Sequence, residues 1–336
     1  MKLYFKSKRF QFVQLLFPFI PLLSFSQLKW INVDTSFQPL PKNFHVYKTT
    51  DSLEGKPFIA YYAEAKLKDR KLDFTADTTS KRRLTPLQFF EKNNHPLLVV
   101  NTTFFSFATN QNLNVVIRNG KMVAYNIHTI PMRGKDTFQY RHPFGSALGI
   151  SKKRVADIAW LHTDTTFRIP FALQFPKPAI KDSITTLSRA TVTKYLYPPP
   201  EPFQGYVMNY TKWKMRTAIG GGPVLLQNGE IKITNNEELK FTGKAIYDKH
   251  PRTCMGYTAD GRLIIMVIEG RHPGIAEGAT LTQEAQLLKD IGCVEALNLD
   301  GGGSSCMLIN GKETIKVSDK EGQRAVPAVF IIKRKN

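Results

Sequence analysis

Cysteine is scarce in this chain of 336 residues, which has only Cys254, Cys293 and Cys306. An odd number of cysteines without zinc-ligand spacing predicts neither a zinc site nor a disulfide framework. Buried thiols are the expected state, although one pair could still be bridged in an oxidising compartment. Long apolar runs are also scarce, because no stretch after residue 26 is long and apolar enough to span a membrane.

The first 26 residues have the pattern of a secretory signal peptide. Four basic residues stand near the start, Phe10 to Phe25 is mostly apolar, and small residues at Ser24 and Ser26 precede Gln27. An uncleaved membrane anchor is the alternative, but the apolar run is short and contains two prolines. No cysteine follows the cleavage site to carry a lipid. We therefore expect residues 27–336 to be exported to the periplasm or the extracellular space.

Acidic residues are few relative to basic ones. The chain has 47 Lys and Arg against 27 Asp and Glu, a net charge of +20, and removal of the signal segment leaves +16. This excess favours anionic partners such as a phosphate-bearing polymer or an anionic cell surface, and the alternative is a solvated basic face. Nucleic acid is not predicted as a partner, because the lysines are scattered and no recognised motif is present.

Short apolar segments separated by turn residues predict a mixed α/β (α+β) fold. We expect a single domain of mainly antiparallel or mixed sheet with few helices and an active-site crevice at the strand ends. The predicted helices are 85–94 and 280–291. A proline-rich stretch, about 164–214, is predicted to be an insertion or a long covering loop. The strand predictions are a pair at 56–67 and 71–77, strands at 95–107, 294–300 and 325–332, two strands within 145–164, and hairpins at 114–126, 217–231 and 252–270.

The segment Asp300-Gly301-Gly302-Gly303-Ser304 places an acid and three glycines directly after a predicted strand. A hairpin turn needs fewer glycines, and each glycine has an entropic cost on folding. Successive glycine amides can form an anion-binding concavity beside the serine hydroxyl, and the alternative is a tight turn capped by Asp. We interpret the glycines as clearing and lining a phosphate site beside a catalytic or positioning acid.

Other polar residues are predicted to lie at neighbouring strand ends. A second glycine triplet includes Gly221 and Gly222, and Asn101 ends a predicted strand. Arg252 could hold a phosphate, and His250 could carry a proton. Glu269 and Asp300 would then supply two carboxylates, the minimum for acid–base work on a glycosidic bond.

The order of these motifs resembles the phosphodiester glycosidase family. It runs Asn-x-x-Phe-Phe, Gly-Gly-Pro, His-Pro-Arg-Thr, an acid-Gly-Arg, a Thr-Leu helix with Glu284, Asn-Leu-Asp-Gly-Gly-Gly-Ser-Ser and a late Ser-Asp. The resemblance covers roughly residues 56–332 and is densest over 218–332. It implies hydrolysis of a sugar linked through C1 to a phosphodiester, on an envelope or extracellular glycopolymer, without a cofactor. A bound divalent cation at Asp300 or Glu269 stays open.

The resemblance also assigns positions in the site. Asp300, Glu269 and His250 are the expected catalytic residues, with either carboxylate as base or stabilising group. Glu269 departs from the family pattern, which usually has Asp there, Cys306 takes a place often held by Thr, and Asn101-Thr102-Thr103-Phe104-Phe105 lacks the usual small residue before the aromatics. The expected substrate- or phosphate-binding residues are Arg252, Asn101, Gly221, Gly222, Arg271, Asn298, Gly301, Gly302, Gly303, Ser304, Asp319 and Arg324, with Ser318 on the same pattern.

Three other functions are compatible with some of these residues. A non-catalytic module could hold an anionic polysaccharide in the same groove, although binding alone would not need acids near a phosphate. A serine hydrolase using Ser304 lacks the usual nucleophile elbow. A metal-dependent phosphodiesterase is expected to have a denser cluster of His and Asp.

Overall fold

Three antiparallel sheets form the framework of the protein. The computed structural model describes residues 28–179 and 210–335, so the predicted signal peptide and residues 180–209 of the proline-rich stretch lie outside it. The largest sheet has eight strands in the order β1-β2-β3-β18-β17-β19-β15-β16. Its strands are β1 (Ile31–Asn32), β2 (Phe44–Thr49), β3 (Ala60–Lys66), β15 (Val224–Gln227), β16 (Glu230–Ile231), β17 (Arg252–Thr258), β18 (Arg262–Ile268) and β19 (Cys293–Asn298).

The two other large sheets pack around the same core. The seven-stranded sheet, in the order β13-β12-β11-β10-β14-β6-β7, contains β6 (Val116–Arg118), β7 (Lys121–Ala124), β10 (Gly145–Ile150), β11 (Ala156–His162), β12 (Phe171–Leu173), β13 (Thr211–Lys212) and β14 (Thr217–Gly220). The five-stranded sheet, in the order β21-β20-β5-β22-β4, contains β4 (Leu72–Thr78), β5 (Leu98–Asn101), β20 (Met307–Ile309), β21 (Lys312–Glu313) and β22 (Ala328–Arg334). A small ribbon pairs β8 (Ile130–Pro131) with β9 (Tyr140–Arg141).

Helices are few in the described part of the chain, as the sequence predicts. They are α1 (Pro86–Lys92), α2 (Asn235–Glu238) and α3 (Leu281–Asp290), with 3₁₀ turns at Asp34–Phe37, Gly134–Asp136, Gly243–Ile246 and Gly302–Ser304. Both longer helices begin with a capping box, at Thr85 for α1 and at Thr280 for α3. Helix α3 is followed by Gly292 at φ +98°, the conformation in which glycine commonly ends a helix.

One contiguous apolar core joins the three large sheets. Phe44 of the eight-stranded sheet, Leu148 of the seven-stranded sheet and Phe330 of the five-stranded sheet belong to the same buried cluster. A second cluster lies under α3 and a third under α1, so each helix covers an outer sheet face. The fold is therefore the predicted single α+β domain of antiparallel sheet with few helices. Among the described residues, no helix is both long and apolar enough to cross a membrane.

Three strand predictions need correction. Residues 56–67 and 71–77 form strands, but they do not pair, because β3 joins β2 and β18 whereas β4 joins β22 in another sheet. The strand predicted over 95–107 ends at Asn101, where the chain turns away and the Thr102 carbonyl accepts from the Asp300 amide. The predicted hairpin 217–231 is divided between two sheets, with its Asn-Gly turn joining only β15 and β16.

The proline-rich stretch contributes regular structure at both of its described ends. β12 pairs with β11, and β13 pairs with β12, which extends the seven-stranded sheet to its edge. The predicted covering loop at 195–206 lies outside the described residues. All three cysteines are free and buried, as expected of apolar thiols.

Candidate active site

The predicted site residues meet because of the antiparallel order of three neighbouring strands. Strand β17 lies between β18 and β19 and is antiparallel to both, so its first residue, Arg252, lies beside the ends of the other two. Glu269 follows the end of β18, and Asp300 comes two residues after the end of β19. A side-chain hydrogen bond from Asn101 at the end of β5, and a backbone hydrogen bond from Gly222 in the loop after β14, bring these two residues to the same edge.

The backbone of Asp300 is held by two hydrogen bonds, while one oxygen of its carboxylate is free to contact a ligand. Its amide donates to the Thr102 carbonyl at 2.7 Å, and its own carbonyl accepts from Asn101 Nδ2 at 2.5 Å. The carboxylate oxygen Oδ2 has no hydrogen-bond partner in the described part of the protein. Burial raises the pKa of Asp300 to about 7, against smaller lowering effects from Ser304 and Arg324. A carboxyl group with this pKa can exchange a proton near neutral pH.

Asn101 acts as a brace for the loop that carries Asp300. The side chain is fully buried, and its Oδ1 accepts from Thr253 Oγ1 at 2.9 Å and from the Cys306 amide at 3.1 Å. Its Nδ2 makes the bond to the Asp300 carbonyl. These bonds join β5, β17 and both ends of the glycine loop. The geometry therefore gives Asn101, which the sequence predicts as a binding residue, a clear positioning role.

Four protein groups pack against the glycine loop. A Cβ at position 301 would lie 2.8 Å from the Pro251 carbonyl oxygen, and one at Gly302, which has φ +62°, would lie 3.0 Å from Arg271 Nη2. A Cβ at Gly303 would overlap Arg324 Nη2 and Asp319 Oδ1. The absence of side chains at the three glycines thus makes room partly for the protein's own groups and not only for a ligand.

The loop amides divide into bonded and free ones. The Gly302 amide donates to the Pro251 carbonyl at 2.8 Å. Within the described residues, the amides of Gly301 and Gly303 have no protein acceptor. Ser304 Oγ makes no hydrogen bond to a histidine in this part of the protein, so the serine–base pair of the hydrolase alternative is not formed. Two of the three glycine amides are therefore available to an anion.

The second glycine triplet packs against the end of β19. The Gly222 amide donates to the Asn298 carbonyl at 2.7 Å, and Asn298 Nδ2 donates to the Gly222 carbonyl at 2.7 Å. A Cβ at Gly221 would overlap the Asn298 carbonyl oxygen, and one at Gly222 would overlap Glu238. Gly221 and Gly222 thus hold the strand that leads into Asp300. Asn298 Oδ1 is buried without a partner.

Two arginines and a neutral histidine lie beside the loop. Arg252 is buried and donates from Nε to the Ala279 carbonyl at 2.9 Å and from Nη2 to the Asp248 carbonyl at 3.1 Å. These bonds fix the guanidinium without neutralising it. Burial and the charges of Arg252 and Arg271 lower the pKa of His250, so this imidazole is neutral at pH 7. Its Nδ1 has no partner among the described residues.

Glu269 differs from Asp300 in that both of its carboxylate oxygens have partners. His272 Nδ1 lies 3.0 Å from Oε1, and the Lys316 amide donates to Oε2 at 3.0 Å. The side chain is buried and ties the loop after β18 to the segment after β21. Glu269 therefore lies at the candidate site, but both oxygens of its carboxylate are already bound by protein groups.

Asp319 and Arg324 form a bidentate ion pair over Gly303. Arg324 Nε lies 2.7 Å from Asp319 Oδ2, and Nη2 lies 2.8 Å from Oδ1. The neighbouring Ser318 Oγ is buried without a partner. Because Arg324 also lowers the pKa of Asp300, the pair lies within electrostatic range of the carboxylate.

Unpartnered polar atoms are concentrated around this crevice. Buried polar groups normally have hydrogen-bond partners, so such a cluster needs an explanation. A ligand that supplies hydrogen bonds would provide one. The unpartnered buried atoms at or beside the site are Thr102 Oγ1, His250 Nδ1, Asn298 Oδ1, Asp300 Oδ2, Ser304 Oγ, Ser305 Oγ, Ser318 Oγ and both carboxylate oxygens of Glu284.

Glu284 is a charged group that the sequence analysis did not count among the site residues. It is fully buried in α3, and burial raises its pKa to about 7, whereas the nearby Arg252 lowers it. The sequence did contain a signal. Glu284 shares the helix face of Leu281, Ala285 and Leu288, at a spacing where an apolar residue is the norm.

Nearly half of the chain is similar to a known protein family. Residues 177–333 match the family model described as phosphodiester glycosidase. The predicted resemblance to that family is therefore confirmed. The matched range begins inside the 164–214 stretch, which the sequence analysis treats as an insertion, and it does not reach Asn101.

Particular relatives match over short segments. The chain is 39% identical over 71 residues to the Bacillus subtilis (strain 168) protein described as SPbeta prophage-derived uncharacterized protein YomE, covering 21% of this chain and 11% of that one. It is 33% identical over 101 residues to N-acetylglucosamine-1-phosphodiester alpha-N-acetylglucosaminidase of Mus musculus, covering 28% of this chain and 19% of that one. The chain thus matches less than a fifth of the length of each.

Solved structures match over most of the chain. The catalytic domain of zebrafish N-acetylglucosamine-1-phosphodiester alpha-N-acetylglucosaminidase superposes with a TM-score of 0.54 at 20% identity, covering 89% of this chain and 85% of that one. A hypothetical protein from Synechocystis superposes with a TM-score of 0.63 at 13% identity, covering 91% and 64%. At these identities the likeness shows the fold alone.

Proposed function

We propose that the protein is an exported phosphodiester glycosidase, which hydrolyses the C1–O bond between a sugar and a phosphodiester and releases free sugar and a phosphomonoester. The observation that carries the proposal is the sheet edge at which the unpartnered Oδ2 of Asp300 lies with the free amides of the glycine loop and the buried guanidinium of Arg252. The match to the phosphodiester glycosidase family supports the same reaction class.

Binding of the phosphodiester needs donors for one negative charge. Arg252 and the free amides of Gly301 and Gly303 supply them, and Arg271 adds a guanidinium at Gly302. Arg252 and the loop amides are fixed before substrate arrives, so little reorganisation of these donors accompanies binding or charge development on the leaving phosphate. The phosphate is a good leaving group, which reduces the need for a strong general acid.

Asp300 is the carboxylate that we assign to the reacting centre. Its free Oδ2 can take a proton from water or stabilise an oxocarbenium-like sugar, and both roles require the ionised form. Glu269 supports the site by holding His272 and the Lys316 amide. Neutral His250, with its free Nδ1, is the proposed proton carrier.

The first experiment measures products from a panel of sugar-1-phosphate diesters. We expect equal amounts of free sugar and phosphomonoester from the wild type, and a loss of at least 100-fold in Asp300→Asn. The matched control is Asp260→Asn, an exposed acid at the opposite end of the β17–β18 pair, with unchanged activity expected. No turnover by the wild type, together with binding of an anionic polysaccharide that Arg252→Gln abolishes, would instead support the non-catalytic binding module.

Export and the polymeric substrate are parts of the proposal that rest on the sequence. The signal-peptide pattern of residues 1–26 and the net charge of +16 for the remainder favour an anionic envelope or extracellular glycopolymer. N-terminal sequencing of the protein recovered outside the cytoplasm should begin at Gln27. An intact Met1 on the exported protein would refute cleavage.

A further inference from the structure

Phe107 is an exposed aromatic residue at the edge of the crevice. It lies in the loop between β5 and β6, and 63% of its surface is exposed. The loop around it is closed by the Asn110 amide donating to the Ser106 carbonyl at 2.8 Å and the Ser106 amide donating to the Gln111 carbonyl at 3.0 Å. An exposed Phe on an ordered backbone presents a fixed apolar surface to solvent.

Two arginines and a second aromatic ring hold the Phe107 ring. Its centroid is 5.3 Å from Arg83 Cζ and 5.5 Å from Arg324 Cζ, both within cation–π range. The Phe105 ring packs against it with centroids 4.8 Å apart. Phe138 is a useful contrast, since it is 90% exposed and has no ring or cation contact among the described residues.

Arg324 connects Phe107 to the reacting centre. The same guanidinium that contacts the Phe107 ring pairs with Asp319, packs over Gly303 and lowers the pKa of Asp300. A single side chain, that of Arg324, therefore contacts both the Phe107 ring and the glycine loop. A group bonded to a phosphate on that loop would lie next to the ring.

We propose that Phe107 is the platform of a sugar-binding subsite, which stacks on a pyranose ring attached to the phosphate of the substrate. A pyranose has an apolar C–H face and a rim of hydroxyl groups. The exposed ring matches the face, and the guanidinium groups of Arg83 and Arg324 are donors for the rim. This inference rests on the proposed function for the phosphate position and extends it to the adjoining sugar.

The subsite is tested by Phe107→Ala and Phe107→Trp, with Phe138→Ala as the matched control. With a sugar-1-phosphodiester substrate, Phe107→Ala should raise KM about 3- to 10-fold with kcat little changed, as expected for loss of one aromatic contact. Phe107→Trp should restore KM, and Phe138→Ala should match the wild type. Equal KM values for wild type and Phe107→Ala, or a fall in kcat alone, would overturn the subsite.

Two substrates distinguish which sugar occupies the platform. A sugar-1-phosphate methyl ester carries only the sugar that is released, whereas a diester to a second sugar carries one on each side of the phosphate. If Phe107→Ala raises KM for both substrates, the released sugar occupies the platform. If it raises KM for the second substrate alone, the sugar beyond the phosphate does. An unchanged KM for both substrates overturns the proposal.

A binding measurement separates this inference from the proposed reaction. Calorimetric titration of the diester into Asp300→Asn, with and without Phe107→Ala, gives Kd without turnover. If the reaction assignment fails, the wild type shows no turnover but the same 3- to 10-fold loss of affinity appears. If only the subsite fails, turnover is normal and the two Kd values agree. Absence of measurable binding to both proteins also refutes the subsite.

Discussion

Replacement of Asn101 by Ala should lower both the stability of the protein and its activity, because Asn101 holds the loop that carries Asp300. The change removes three hydrogen bonds and leaves the Asp300 carbonyl, the Thr253 hydroxyl and the Cys306 amide without a partner. Each buried orphan group costs roughly 1–3 kcal/mol, and the hydroxyl can rotate to another acceptor, so we expect a loss of about 3–5 kcal/mol in the free energy of unfolding. At roughly 2–4 °C per kcal/mol, Tm should fall by about 10 °C.

Activity should fall further than stability alone explains, because Asp300 would no longer be held in place. Displacement of a reacting group by about 1 Å can cost on the order of 100-fold in rate. The assay is kcat and KM at a temperature where both proteins are folded, with Tm measured by calorimetry. Asn93→Ala is the control, since it loses bonds to Asp77 and the Phe89 carbonyl and none to the glycine loop. It should lose stability and keep kcat. An unchanged Tm with activity lost would refute the brace and make Asn101 a substrate ligand.

Three further predictions follow from the charges and the glycine loop. Because burial raises the pKa of Asp300 to about 7 and lowers that of His250, kcat/KM should rise with pH through about 7 and then level off, and a pH-independent profile from 5 to 8 would contradict the assignment. The raised pKa of Asp300 also destabilises the fold increasingly as pH rises from about 4 to 7. Asp300→Asn should therefore be more stable than wild type at pH 8, on the order of 4 kcal/mol, with the gain vanishing near pH 4 in denaturant titrations. Gly303→Ala should separate Asp319 from Arg324 and reduce kcat/KM at least tenfold, and a crystal structure showing the ion pair intact would refute the steric argument.

The tight turns and the two longer helices could be predicted because their signals are local. Asn119-Gly120 and Asn228-Gly229 have the positive φ angles of tight turns, and Thr280 and Gly292 mark the two ends of α3. The assignment of strands to sheets could not be predicted in the same way. The chain between β3 and β4 contains a turn that fits a hairpin, yet β4 pairs with β22 some 250 residues later, because pairing is decided by long-range packing.

The proximity of the candidate site residues could be predicted better than the contacts that each of them makes. Asp300 and Arg252 come together at one sheet edge as the antiparallel order requires. The sequence treats Glu269 and Asp300 as equivalent acids. Their difference arises from the Lys316 amide, which a distant segment supplies, and from His272 in the loop that follows Glu269. Likewise, the glycines suggest space for a ligand, whereas Arg324 and Asp319 fill part of that space.

The most direct test of the central claim is the position of solvent oxygen in the products. Hydrolysis of a sugar-1-phosphodiester in H₂¹⁸O, followed by mass spectrometry, distinguishes cleavage of the C1–O bond from cleavage of the P–O bond. The reaction proposed here adds water at C1, so the phosphomonoester should contain no ¹⁸O and the freshly released sugar should contain one atom. One ¹⁸O in the phosphomonoester would contradict the account and identify attack at phosphorus.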